Sequence, residues 1–297
     1  MRKLLAVVLS RVLFSGLAAL CPAAGAQVLA PAPNPMPDGS DDMYAGLGVA
    51  SAPRYAGAAA RRRRLLPVLQ AQWSNGMFIS GMSAGLHLSH RPWLEYGPLL
   101  ALHPGRDGGG DGASAIGAGI ARVEARHDPA AASAPVAGDA GQPLRGLPAI
   151  ARRWQGGAFV NLTLAPHLRL ISNALYGAGA DRHGATLTLG MQAMALAPAP
   201  HHGVTLGVDL ALVNRNLNQA YFGIDSDQSA RSGAAPYDAH GGWRDARAGA
   251  SWHWAMSPAW LLVSHLDLTR QLGATRFSPL VTRSTGASVS TALAYRF

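Results

Sequence analysis

From Met43 onward the chain alternates apolar and polar positions in segments of about ten residues, the length at which a tilted strand crosses a bilayer. The last segment is the clearest. Ala287, Val289, Thr291, Leu293, Tyr295 and Phe297 fall on one face, and Gly286, Ser288, Ser290, Ala292, Ala294 and Arg296 on the other. The same division recurs upstream. Trp260, Leu262, Leu266 and Leu268 oppose His265, Asp267 and Thr269. Val204, Leu206, Val208, Leu210 and Leu212 oppose Thr205, Gly207 and Asp209. A soluble β-sandwich shares this alternation, but here the non-apolar face is small and polar and would make a poor core. Aromatics such as Trp243, Trp252, Trp254, Trp260 and Tyr295 also sit near strand ends, where interface girdles belong. The pattern predicts an all-β fold, a transmembrane antiparallel up-and-down barrel of about twelve strands, with ten as the alternative count.

Counting back from a periplasmic C-terminus, strands are expected near 282–297, 259–270, 242–254, 203–214, 184–196, 167–176, 152–163, 113–126, 93–102, 77–88, 63–73 and 43–52. The connections Ala255–Pro258, Ala197–His202, Leu164–Pro166 and Ser74–Gly76 then form short periplasmic turns. Gln271–Thr282, Asn216–Gly241 and His127–Ala151 form long outer loops, the asymmetry of bacterial barrels. His103–Gly112 breaks the rule, because this order puts a long connection on the periplasmic side.

Composition removes the helical classes. Only 14% of residues are charged against 48% hydrophobic, Lys occurs once and Glu twice, so the residues that clothe soluble helices are nearly absent. Uncharged stretches such as 65–90 and 184–208 are broken by Gly, Pro, Asn, Gln or His and do not read as spanning helices. The N-terminus reads as an export signal over 1–26. Arg2 and Lys3 precede the apolar run Leu4–Leu20, and Ala24-Gly25-Ala26 gives a small-x-small cleavage pattern. Cleavage there lowers the net charge from +9 to +6, because Arg2, Lys3 and Arg11 leave, and it removes the lone Cys21. Residues 27–42 read as a flexible Pro/Ala-rich leader, and 43–297 as the barrel of the cell outer membrane.

The candidate chemistry is sparse. Arg61, Arg62, Arg63 and Arg64 fall at the outer end of the second strand, where guanidiniums can pair with lipopolysaccharide phosphates. A solvated charge run is the alternative. Tyr295 and Phe297 give the aromatic C-terminus that the barrel assembly machinery recognises in such proteins. His201-His202 and His87/His90 have no third ligand in view, and Asp107–Asp111 lacks the ligand spacing of a calcium loop, so no metal or other cofactor is expected. Ser74-Asn75-Gly76 resembles the Ser-Asn-Gly of outer-membrane phospholipases, but Gln72 stands where the His base belongs, and Asn-Gly signals a hairpin instead. Nucleic acid is not an expected partner of an exported barrel.

Several short motifs recur in a fixed order. Gly46-Leu47-Gly48-Val49 precedes Pro53-x-Tyr55-x-Gly57; then come Gly105-Arg106-Asp107, Tyr221-Phe222-Gly223-Ile224 with Tyr237 and Gly241-Gly242, and Ser278-Pro279-Leu280 before the terminal Tyr295-Arg296-Phe297. In this order they resemble the MipA/OmpV family of Gram-negative outer-membrane proteins over roughly 43–297. Ala58, and Gly146-Leu147-Pro148-Ala149-Ile150 in place of a Gly-x-Gly-Asp, depart from it. The resemblance implies an outer-membrane barrel embedded in lipid and lipopolysaccharide. It implies a non-enzymatic scaffold linking a lytic murein transglycosylase to a peptidoglycan synthase, or else a small-solute porin or an adhesin. An outer-membrane lipase is the remaining alternative.

Overall fold

The structure is a computed structural model that describes residues 42–89, 91–106, 134–135, 144, 146–196 and 199–297. Twelve antiparallel strands close into a ring. In chain order they are β1 (Asp42–Pro53), β2 (Arg61–Gln72), β3 (Met77–Ser80), β4 (Ser83–Leu86), β5 (Leu94–His103), β7 (Arg153–Ala165), β8 (Leu168–Ala178), β9 (Gly184–Leu196), β10 (His202–Val213), β11 (Gly242–Ala255), β12 (Trp260–Gln271) and β13 (Thr285–Arg296). A two-residue strand, β6 (Ala134–Pro135), adds to β2 at Arg64 and Leu65. β1 closes the ring by pairing with β13 on one side, Tyr44 opposite Arg296, and with β2 on the other, Gly48 opposite Leu66. Closure matters in lipid, where each unsatisfied backbone group costs several kcal/mol and an open sheet edge has no partner.

Alternation places the residues as the sequence pattern predicts. Outward positions expose large apolar side chains, Leu47 by 68% and Val208 by 51%. Inward positions are Gly, Ser, Thr, Asn, Gln, Asp and Arg, with a few apolar groups. This inversion of a soluble core identifies lipid as the outer solvent. Short turns gather at one end, among them Ser74–Gly76 and Pro166–His167; the long connections gather at the other. By the asymmetry of bacterial barrels the turn end is periplasmic, and the first residues of β1 and the last of β13 lie there.

Two strand expectations need correction. The segment 77–88 is not one strand but the β3–β4 hairpin, which turns at Gly81-Met82. Gly81 takes φ 57°, the positive value that a two-residue hairpin turn needs at its first central position, and Ser83 Oγ donates to the Ser80 carbonyl at 2.9 Å across it. The extra strand reverses the direction expected for the next one. β5 runs from the turn end to the loop end, antiparallel to β7, so His103–Arg106 lies at the outer end and the long connection there obeys the rule. The expected strand 113–126 lies outside the described residues, as do the segments 1–26 and 27–41, Asp107 and His90. The ring reaches an even strand count without them.

Candidate functional site

Four outer connections meet over the mouth of the barrel. They are rooted at β1–β2, β5–β7, β10–β11 and β12–β13; the first, third and fourth are neighbours around the ring, whereas β5–β7 is adjacent to neither β10–β11 nor β12–β13, so its contacts with those two cross the opening. The longest carries two helices, α1 (Arg215–Phe222) and α2 (Ser226–Ser232). Asn214 starts α1: its Oδ1 accepts from Leu217 N at 3.1 Å and from Ala185 N at 3.0 Å, tying the helix to β9. Asp225 starts α2 through a capping box with Gln228.

The joints between loops fall on the motif residues. Tyr55 Oη donates to the Leu280 carbonyl at 3.0 Å, and the Gly57 carbonyl accepts from Arg283 N at 2.9 Å. Gly57 has φ +91°, and a Cβ there would lie 2.7 Å from Val281 Cγ2, so close loop contact requires glycine. Arg106 exchanges both backbone hydrogen bonds with Ile150. Its Nη1 donates to the Tyr221 carbonyl at 2.8 Å, and its guanidinium carbon lies 5.8 Å from the Tyr221 ring centroid. Ser278 Oγ donates to the Phe222 carbonyl at 2.6 Å, and Thr275 Oγ1 to Asn218 Oδ1 at 2.8 Å. Leu144, Leu147, Ile224 and Leu280 pack into one buried cluster beneath Tyr55 and Tyr237. Burial pushes the Tyr221 hydroxyl well up, against the pull of the Arg106 and Arg244 charges. It therefore stays a neutral donor, 3.0 Å from His103 Nδ1 and 3.3 Å from the Pro104 carbonyl. Burial also lowers Arg106, with Tyr221 and Tyr55 opposing.

Inside the barrel the two walls differ. On the β3–β8 side the inward groups are packed. Phe78, His87 and Phe159 form a ring cluster with centroids 4.8, 5.1 and 5.7 Å apart. Glu95 and Arg169 form a buried ion pair, and Asn161 is buried beside them, its amide oxygen 2.7 Å from Arg169 Nη2. On the β9–β12 side the inward Gln192, Asp209, Arg247, His253, His265 and Asp267 are only half-buried. Asp209 stands opposite Arg247, and Gly249 opposite Asp267. A Cβ on Gly249 would lie 2.5 Å from Asp267 Oδ1, so the glycine makes room for the carboxylate.

The structure separates the other sequence candidates. Alternation splits the arginine run: Arg61 and Arg63 point outward, whereas Arg62 and Arg64 point inward and Arg64 is buried. Tyr295 packs edge-on against Trp260 at 5.1 Å, and Phe297 continues the outward face. His202 stacks on Trp252 and Trp254 at 5.6 and 5.4 Å, an aromatic girdle rather than a ligand set. Among the described residues no group of three potential ligands holds a metal-like arrangement. Ser74-Asn75-Gly76 is a tight turn, with Asn75 Oδ1 accepting from Met77 N at 3.0 Å and Gly76 at φ +87°. Pro53, Gly105, Gly223 and Pro279 border the cap joints. Sequence reasoning did not see the Glu95–Arg169 pair, although a lone Glu on an inward strand position is a signal that could have found it.

Solved structures of similar shape are bacterial porins and channels. A NanC porin matches with TM-score 0.47 and 9% identity over 84% of this chain and all of its own. A KdgM porin matches with TM-score 0.42 and 9% identity over 86% of this chain and 99% of its own. The Pseudomonas putida toluene transporter TodX matches with TM-score 0.32 and 11% identity, over 88% and 90%. At such values the likeness carries no functional inference. No curated protein matches the chain. The sequence pattern of one family, described as MltA-interacting protein MipA, matches residues 45–297, and the chain belongs to that family as a β-barrel of the outer membrane.

Proposed function

We propose that this protein is a non-enzymatic anchor that holds a murein-remodelling enzyme at the periplasmic end of the barrel. The observation that carries this reading is the cap: the β5–β7 connection is bonded across the outer mouth to β10–β11 and packs against β12–β13, neighbouring loops are bonded to one another, and the β3–β8 wall beneath them is packed. A barrel closed in this way serves as a fixed point in the membrane. The family description, MltA-interacting protein, favours a murein enzyme as the partner; a lytic murein transglycosylase, linked through the barrel to a peptidoglycan synthase, is the pairing we propose. The exposed turns at Pro166–His167 and Met256–Ala259 offer the docking face. Ser74 in its tight turn, with Gln72 in place of a base, fits a protein without hydrolytic activity. The test is capture of a purified lytic murein transglycosylase by the barrel in detergent. Capture that is lost when the 256–259 and 166–167 turns are replaced by Gly-Ser supports the reading; absence of capture removes it.

A second reading, a narrow channel for small polar solutes, is favoured by the half-buried charged wall of Asp209, Arg247 and Asp267. Steady single-channel currents that change sign preference on Arg247→Gln would establish it.

A further inference from the structure

The outward residues at the loop end form two different belts. On β7, β8 and β11 they are Trp154, Tyr176 and Trp243, the usual interface aromatics. On β2 and β12, with β1 and β13 between them, they are Arg61, Arg63 and Arg270. Each borders the lipid face directly: Leu65 follows Arg63 by two residues and Leu268 precedes Arg270 by two, both strongly exposed.

Arg61 is held in place without being neutralised. Its Nη1 donates to the Ala287 carbonyl at 2.7 Å, its Nη2 to the Ser51 carbonyl at 2.9 Å and its Nε to Ser51 Oγ at 3.3 Å. These bonds lay the guanidinium across β1 toward β13. Arg270 stands opposite Thr285, two residues along β13 from Ala287. The Arg61 head lies in the gap between β1 and β13; with strands about 4.8 Å apart and a rise of about 3.4 Å per residue, the Arg270 backbone lies about 10 Å from it. An arginine side chain spans most of that distance, so the Arg270 head can reach the same anion as Arg61. In residues 42–64 and 260–297 the acidic residues are Asp42, the first of β1 at the turn end, and Asp267, which faces the lumen. The outer rim of this sector is therefore uniformly basic, with Arg54, Arg276 and Arg283 in its loops.

We propose that Arg61, Arg63 and Arg270 form a clamp for the phosphate groups of lipid A in the outer leaflet. An anion at this height, bordered by exposed leucines, belongs to a lipid headgroup, because its acyl chains can lie on Leu65 and Leu268 directly below. Charge-assisted, fork-shaped contacts from arginine suit phosphate oxygens.

The experiment is native mass spectrometry of the detergent-solubilised barrel titrated with bisphosphorylated lipid A, with dephosphorylated lipid A as the paired probe. Retention of the phosphorylated form that falls about tenfold in Arg63→Gln/Arg270→Gln, which leaves the Arg61 backbone contacts intact, supports the clamp. So does unchanged retention in Arg182→Gln, on the far sector. Equal retention of both lipids by the native barrel, or equal affinity in the double variant and the native protein, overturns it. Displacement by millimolar inorganic phosphate as readily as by lipid A also overturns it, since the site would then read free phosphate.

Discussion

Replacing Arg169 by Met, or Glu95 by Leu, measures whether the lumen is dry on the packed side. The two side chains form an ion pair and are 3% and 4% exposed. If that wall excludes water, each single replacement strands a charge in a poorly solvated layer, and breaking such a pair costs about 3–5 kcal/mol. A loss of about 3 kcal/mol lowers the folded-to-unfolded ratio more than a hundredfold. The double replacement Glu95→Leu/Arg169→Met removes both charges and fills the space with apolar atoms, which is neutral or stabilising by about 1–4 kcal/mol. If instead the lumen is flooded, water screens the pair and each single replacement costs about 0–1 kcal/mol, as at a surface. The assay is urea unfolding in detergent micelles with the denaturant slope held constant between variants. Single variants that lose less than about 1 kcal/mol, with a double variant no better than either, would refute a packed wall.

Three further outcomes follow from positions on the barrel. Val208→Arg places a charge on the lipid face of β10 and is expected to cost about 2–4 kcal/mol near the midplane, whereas Gln192→Arg, facing the lumen, is tolerated; refolding yields into vesicles compare them. Ser278→Ala deletes the 2.6 Å bond to the Phe222 carbonyl and leaves that buried acceptor unpaired, at about 1–3 kcal/mol; amide exchange over 214–224 should quicken while the strands stay protected. Phe297→Ala removes a side chain that is 66% exposed, so urea stability should hold while assembly into the outer membrane, followed by heat-modifiable migration on gels, slows severalfold.

Period-2 patterning was legible wherever lipid enforces it. In β10 and β13 nearly every outward residue is apolar, Thr291 being an exception, and nearly every inward one is small or polar, Val213 being an exception, so the faces could be assigned residue by residue. The β3–β4 hairpin was misread because its four-residue strands carry the same alternation. The signal was a phase slip: outward residues are Met77 and Ile79 before Gly81 but Ala84, Leu86 and Leu88 after it. A missed hairpin reverses the next strand, and the long connection after His103 was its visible symptom. The cap was legible only as scattered motifs. Tyr55 and Leu280 are 225 residues apart, Arg106 and Tyr221 are 115 apart, and no local pattern says that such residues meet. Nor could spacing tell which arginines of the 61–64 run face lipid until pairing with β1 set the register.

Planar-bilayer recording on the purified barrel tests the closed mouth over the half-packed lumen most directly. The native protein is expected to give a silent bilayer, and a variant lacking the cap joints, Tyr55→Phe/Arg106→Met/Ser278→Ala, to give intermittent currents as the loops part. Steady channels of one defined conductance from the native protein, unchanged in the variant, would contradict a sealed anchor and establish a conduit along the Asp209–Arg247 wall.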